Sequence, residues 1–184
     1  MLVKKIILGV AVCLALVNNA TAETTGKSYI GFDLGASRLG GVTAPAGTYS
    51  DPGISTLTGG YNFNDTWAGE LSYTNFGDSV LSIAKIKLTS LRLVAVGKYT
   101  INDKVDLFGK AGLAHNTAQI SIRWATSPEV SEDTATIGFG GQYHLTPQVN
   151  LRAQYDYLGK FATWTSTGVD ITASIISLGA TYTF

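Results

Sequence analysis

Outside its first 22 residues the chain contains no cysteine; the single one is Cys13. Disulfides and thiolate metal sites are therefore excluded from everything beyond that segment. Charge is equally sparse. Asp, Glu, Lys and Arg make up 14% of the 184 residues while hydrophobic side chains make up 45%, well short of the quarter or so of charged residues in a typical soluble domain. Something other than water is expected to solvate part of the surface. The formal net charge is zero, and no basic stripe offers itself to nucleic acid. A sustained 3.6-residue apolar period is also missing beyond the N-terminal segment, which removes helices from the expected fold.

The N-terminal segment has the order of a secretory signal. Lys4 and Lys5 form its charged start, Ile6 to Val17 its apolar stretch, and Ala20-Thr21-Ala22 an A-x-A cleavage site before Glu23. Twelve apolar residues span only ~18 Å as a helix, short of a ~30 Å hydrocarbon core, so a membrane helix is the weaker reading. Cleavage after Ala22 leaves residues 23–184 as one domain, with 11 basic against 13 acidic residues.

What the chain does have is period-2 alternation, 21 glycines and nine tyrosines, which together predict an all-β fold. One phrase recurs: Gly59-Gly60-Tyr61-Asn62-Phe63-Asn64-Asp65, Gly97-Lys98-Tyr99-Thr100-Ile101-Asn102-Asp103 and Gly141-Gln142-Tyr143-His144-Leu145-Thr146-Pro147, at intervals of 38 and 44 residues. Each ends in residues that tolerate or preset turn backbone angles, so each predicts a strand running into a tight turn. Alternating runs leave the turns over 67–76, 105–114 and 149–157. Longer polar or glycine-containing stretches, read as loops, occupy 37–53, 77–82, 124–133 and 158–168. With runs over 29–36 and 171–184 the count is eight strands, three tight turns at one end and four loops at the other. This is the plan of an eight-stranded antiparallel up-and-down transmembrane β-barrel, with both chain ends in the periplasm and the loops outside.

A soluble β protein is the rival, and the faces of the strands decide between them. On the last strand Ile176, Leu178, Ala180, Tyr182 and Phe184 share one face, opposed by Ser177, Gly179, Thr181 and Thr183. On the run after the third turn Val149, Leu151, Ala153, Tyr155 and Tyr157 oppose Asn150, Arg152, Gln154 and Asp156. The apolar faces are assigned to lipid, where a charge at mid-membrane costs roughly 2–4 kcal/mol. Tyr61, Phe63, Trp67, Tyr99, Tyr143, Tyr182 and Phe184 gather near the short-turn end, and Tyr73, Tyr155 and Tyr157 toward the loops. Two such bands are the girdles of a barrel at the two membrane interfaces.

The pieces "YIGFDLGAS", "GGYNFNDTWAGELSYTNFG", "HLTPQVNLRAQYDY" and "LGATYTF" resemble the small eight-stranded outer-membrane barrels, the transmembrane domain of the outer membrane protein A family and the opacity-type barrels. The resemblance covers the chain from the end of the signal onward and implies a cell outer-membrane location in a Gram-negative envelope. It also implies that the terminal Tyr182 and Phe184 are read by the outer-membrane assembly machinery. The periplasmic peptidoglycan-binding domain of the full-length family member is not expected here.

Inward parity places Asp33, Glu70, Lys98, Lys110, Arg152 and Asp156 inside the barrel, where an unpaired charge must find a partner. Glu70 with Arg152, assisted by Lys98 or Lys110, is the expected centre of an interior charge network. The resemblance points the same way, implying a salt-bridge plug that could gate a pore. Val96 and Gln142 stand where the family places further charged members. A structural plug and a narrow gated ion or solute channel both remain open. Lys85 and Lys87, outward and toward the loops, are candidates for contact with lipopolysaccharide phosphates.

Enzymes exist on this fold, which makes His115 and His144 candidates for a catalytic base. Nucleophilic catalysis needs a serine and a histidine within reach and a third group to orient the base; His144 sits beside a periplasmic turn, away from the outer leaflet, and His115, near the loop end with a threonine following, lacks the His-x-Ser pattern of the deacylase barrels. No catalytic residue, metal site or cofactor is expected. The expected role is non-enzymatic: a monomeric barrel contributing to envelope structure, in contact with outer-membrane lipid and with host or other surface ligands through its loops. A narrow channel is the alternative, and a lipid-modifying enzyme ranks third.

Overall fold

The structure, a computed structural model, describes residues 26–40, 53–81, 84–122, 125–126, 130–164 and 169–184. The signal segment expected over residues 1–22 lies outside them. Nine strands are described: β1 (Ser28–Gly40), β2 (Gly53–Asn62), β3 (Trp67–Leu81), β4 (Ala84–Asn102), β5 (Val105–Ile122), β6 (Ala125–Thr126), β7 (Val130–His144), β8 (Val149–Trp164) and β9 (Val169–Thr183). The two-residue β6 pairs only with the end of β5. The other eight form the wall, every neighbouring pair antiparallel, with β5 passing directly to β7. Closure comes from β1 and β9, in register from Tyr29 opposite Thr183 to Gly40 opposite Thr172. The last residue is held in this seam, the Phe184 amide donating to the Ser28 carbonyl at 3.0 Å. The fold is a closed, eight-stranded, all-antiparallel barrel, as the periodicity predicts.

The recurring phrase has a single physical cause. Its penultimate residue is Asn64, Asn102 or Thr146, and each side-chain oxygen accepts the backbone N–H two residues on, from Thr66, Lys104 and Gln148 respectively (2.9, 2.9 and 3.3 Å). Asn64 and Thr146 also accept the N–H that opens the next strand, from Trp67 (2.7 Å) and Val149 (2.9 Å). These local bonds bend the chain and satisfy amides that the ladder leaves over.

The outward faces are apolar through the middle of the wall. Phe32, Leu34, Leu57, Leu93, Leu113, Phe139, Ile176 and Leu178 are all at least half exposed, a surface that only hydrocarbon can cover without cost. At the short-turn end Tyr61, Phe63, Trp67, Tyr99, Tyr143 and Tyr182 are exposed. Phe184 is half-buried, edge-on to Tyr182 at 5.3 Å. Tyr73, Tyr155 and Tyr157 are exposed toward the other end. The two aromatic bands sit where the sequence places them.

Strands run further toward the loop end than the sequence suggests. Residues 77–81 belong to β3, 130–133 to β7 and 158–164 to β8, although their composition is that of loops. In β8 the cause is a bulge. Gly159 has φ +72°, and the register with β9 shifts between Tyr157 and Gly159 and again between Lys160 and Ala162. Inward parity therefore changes from Arg152, Gln154, Asp156 and Leu158 to Phe161, and both Leu158 and Phe161 are fully buried. Positive φ is costly for any residue but glycine, which is why a bulge resembles a loop in sequence. The polar groups that the bulge frees are met from other strands. Asn116 on β5 donates to the carbonyls of Leu158 and Lys160 (2.9 and 2.8 Å), and Thr136 on β7 to that of Tyr157 (2.7 Å).

The interior is thus layered. Toward the loops Ile54, Phe76, Leu88, Leu158, Phe161, Ala173 and Ile175 form an apolar cluster, with the Phe76 and Phe161 rings edge-to-face at 5.3 Å. Below it lie the charged residues, and alongside and below those a smaller cluster of Tyr29, Ala68, Val94, Val96 and Phe108.

Candidate functional site

Arg152 is the hub of the charged layer. Its Nε and Nη2 donate to the two oxygens of Asp33 at 2.8 and 2.6 Å. Nη1 donates to Glu70 Oε1 at 3.0 Å, and Nη2 also to Thr58 Oγ1 at 3.0 Å. Lys110 Nζ lies 2.6 Å from Glu70 Oε2 and 2.8 Å from Gln154 Oε1. The Tyr29 hydroxyl donates to Glu70 Oε1 at 2.8 Å. All of these residues are buried, with two formal positive and two formal negative charges that balance. A desolvated set of this kind is tolerable only when its lone pairs and protons are used.

Bare backbone makes the reach possible. Asp33 pairs across the ladder with Gly179, which in turn pairs with Arg152. Arg152 on β8 therefore crosses over β9 to reach β1, through space that a side chain at 179 would fill; a Cβ there would overlap Asp33 Oδ1. The same device works one hairpin on. Tyr29 pairs with Gly60, and Gly60 with Glu70; the Tyr29 ring lies over Gly60, whose Cβ would overlap it.

Of the expected members, Asp33, Glu70, Lys110 and Arg152 come together. Lys98 does not join them. It stands a layer lower, donating to Asn62 Oδ1 at 2.5 Å with its ammonium 5.6 Å from the Tyr29 ring, so of the two lysines expected to assist Glu70 and Arg152 only Lys110 does. The reason is register. Lys98 is opposite Phe108, two residues below the Val96–Lys110 pair on the ladder. Asp156 forms a separate pair, 3.1 Å from Arg92 Nη1 but off the hydrogen-bond direction, while Arg92 Nη2 donates to Thr74 at 3.3 Å. Tyr29, Thr58, Gln154 and Arg92 are members that sequence reasoning does not name. Tyr29 shares the inward parity of Asp33, and Gln154 that of Arg152, and this parity is the signal that could have found them.

Both histidines meet carboxylates. His144 Nε2 is 2.9 Å from Asp106 Oδ2 and its Nδ1 2.6 Å from Asn150 Oδ1, at the short-turn mouth. His115 Nδ1 is 2.7 Å from Asp133, exposed toward the loops. No group of three or more metal-ligating side chains occurs among the described residues. Lys87 is exposed on β4; the side chain of Lys85 lies outside what is described.

The barrel fold has counterparts of known structure. Ail, the attachment invasion locus protein of Yersinia pestis, is 25% identical, with a TM-score of 0.61 over 87% of this chain and 99% of that one. Neisserial surface protein A is 19% identical, with a TM-score of 0.68 over 85% and 97%. The N-terminal β-barrel domain of Pseudomonas aeruginosa OprF is 19% identical, with a TM-score of 0.59 over 87% and 100%. A comparison with curated proteins gives no match. The sequence profile of the family described as "Outer membrane protein beta-barrel domain" matches residues 6–184. With a closed barrel, an apolar exterior and that match over nearly its whole length, the chain belongs to the outer-membrane protein β-barrel domain family.

Proposed function

We propose that the protein is a non-enzymatic, monomeric barrel of the outer membrane that reinforces the envelope and makes surface contacts through its loop end. The observation that carries this reading is the doubly closed interior. The Arg152 layer and, above it, the Phe76–Phe161 cluster fill the lumen at successive levels, which leaves activity to the ends. Ail, a protein named for attachment and invasion, supports a surface-contact role, and it has been crystallised with the heparin analogue sucrose octasulfate. The chain would be exported by its N-terminal segment, cleaved after Ala22, and folded by the assembly machinery through β9. Lys85 and Lys87 would meet phosphates of the outer leaflet.

The test pairs two measurements on the wild-type protein. In planar bilayers the purified barrel should give no stepwise current. Cells carrying the gene should adhere to host-cell monolayers or a sulfated-glycan surface several-fold better than cells lacking it, and replacing residues 41–52 with a short Gly-Ser linker should lower the gain. Discrete conductance steps without any adherence would overturn the proposal in favour of a narrow channel.

A further inference from the structure

The short-turn mouth of the barrel is hollow. A cavity of about 290 Å³ lies there, and all three tight turns reach it, through Asn64 and Asp65, through Asn102 and Asp103, and through Pro147. Its inner end is shut. Tyr29 lines the cavity and donates to Glu70 of the Arg152 layer, so whatever enters between the turns stops at that layer. The geometry is that of a binding site with one entrance, not of a passage.

Charge narrows what could fill it. Three aspartates line the cavity, Asp65, Asp103 and Asp106, against one lysine, Lys98. That lysine is already engaged: its ammonium donates to Asn62 Oδ1 and lies 5.6 Å from the centroid of the Tyr29 ring. His144 is engaged at both ring nitrogens, with Asp106 Oδ2 at 2.9 Å and Asn150 Oδ1 at 2.6 Å. Asp106 is the exception. It is only 7% exposed; Oδ2 faces His144 and, at 3.4 Å, Gln142 Nε2, while Oδ1 is buried and meets no donor. A desolvated carboxylate oxygen of this kind is costly, and in native folds it is normally met by a donor.

The spread of the acids narrows the class further. Among the described residues no three carboxylates or histidines come close enough to hold one metal ion. Asp65 and Asp103 are exposed at the rim, on the turns that lead into β3 and β5, whereas Asp106 is buried. Asp103 precedes Asp106 by three residues, no more than ~10 Å of chain. We propose that the mouth binds a short linear alkyl diamine, with one ammonium donating to Asp106 Oδ1 in the cavity and the other held at the rim by Asp103 and Asp65. Two cationic ends joined by a few methylenes match one buried and two exposed carboxylates, a pattern that a single ion or a neutral solute would leave half used. Each ammonium carries three N–H donors and no acceptor, the complement of a cavity whose uncompensated charge is carboxylate.

The experiment uses the folded barrel in zwitterionic detergent, with 1,4-diaminobutane as the probe and binding read by titration calorimetry and by backbone amide shifts. Wild type should bind it saturably, with the largest shifts at residues 103–106 and 142–144, and 1,4-butanediol, of the same length without charge, should not bind. Asp106→Asn should weaken binding about tenfold, the worth of one hydrogen bond to a charged group. Asp103→Asn, at the exposed rim where folding is not at stake, should weaken it several-fold. Asp133→Asn, which removes an exposed acid toward the loops, should leave it unchanged, and shifted gel mobility on heating should show that every variant is closed. Unchanged affinity in Asp106→Asn or Asp103→Asn, equal loss in Asp133→Asn, or butylamine bound as tightly as the diamine would each overturn the site. A lysine-containing tripeptide bound as tightly as the diamine would assign the mouth to a protein side chain and overturn the free-diamine reading. None of these outcomes depends on adherence or conductance, so the site and the proposed function stand or fall separately.

Discussion

The barrel interior is filled in two different ways, and the contrast explains why one half of it is readable and the other is not. Around Arg152 every contact is directional: four donor contacts to Asp33, Glu70 and Thr58 fix the heights of β1, β2, β3 and β8 relative to one another. Toward the loops, Phe76, Leu88, Leu158, Phe161 and Ile175 fill the barrel by volume alone. A directional layer tolerates one register. An apolar layer stabilises whatever register puts it inside, and so depends on the layer below for alignment.

The largest expected effect comes from breaking the directional layer. Arg152→Ala leaves Asp33 buried without its partner and Glu70 with only Lys110 and Tyr29, and should cost about 5 kcal/mol, the upper end for removing one partner of a buried pair. Urea unfolding in lipid vesicles, followed by far-UV circular dichroism, would measure it. A loss under about 1 kcal/mol would mean that water reaches and solvates the site. Phe161→Ala in the other layer should cost less, about 3 kcal/mol, by transfer and cavity terms. It should leave register-sensitive contacts near Gly179 unchanged in amide exchange.

The two layers also differ in how far the sequence reveals them. Charges on inward positions are conspicuous in a chain so poor in charge, so parity alone is enough to name Glu70, Arg152 and Asp33. Choosing between Lys98 and Lys110 needs the register of β4 against β5, which parity does not supply. The pairing of Arg92 with Asp156 spans strands that are far apart in sequence and is hidden for the same reason. In the apolar layer Leu158 and Phe161 resemble loop residues because Gly159 breaks the alternation, and only the bulge with its Asn116 and Thr136 bonds restores their inward direction. The turns are legible because Asn64, Asn102 and Thr146 act on amides two residues away, a range over which local sequence decides the backbone. Residues 41–52 and 165–168, where surface contacts are proposed, lie outside the described residues.

A smaller effect would sharpen the role of bare backbone within the ionic layer. Gly179→Ala places a Cβ against Asp33 Oδ1 and equally against the Phe32 backbone carbonyl and should cost about 2 kcal/mol through forced displacement. The same change at Gly59, where a Cβ would meet nothing within 4 Å, should be close to neutral by the same unfolding measurement. Equal losses at both positions would assign the cost to strand propensity and not to the close approach of β1 and Asp33 to bare backbone at 179.

The smallest expected change is the one that most directly separates specificity from stability. Arg92 and Asp156 form a two-member pair at the edge of the apolar layer, and their geometry is imperfect: Arg92 Nε has no partner, and Asp156 Oδ2 is approached off-axis. Such a pair recovers little of its desolvation cost. Asp156→Leu alone should be strongly destabilising because it strands a guanidinium, whereas Arg92→Met/Asp156→Leu should return to within about 1 kcal/mol of wild type, since apolar groups of similar size extend the layer above. If the ionic pair acts chiefly to fix register, the double variant should unfold normally yet show broadened amide signals where β4 and β8 pass this level. Sharp, wild-type-like spectra together with wild-type stability would show that the Arg152 layer alone sets the alignment of the barrel.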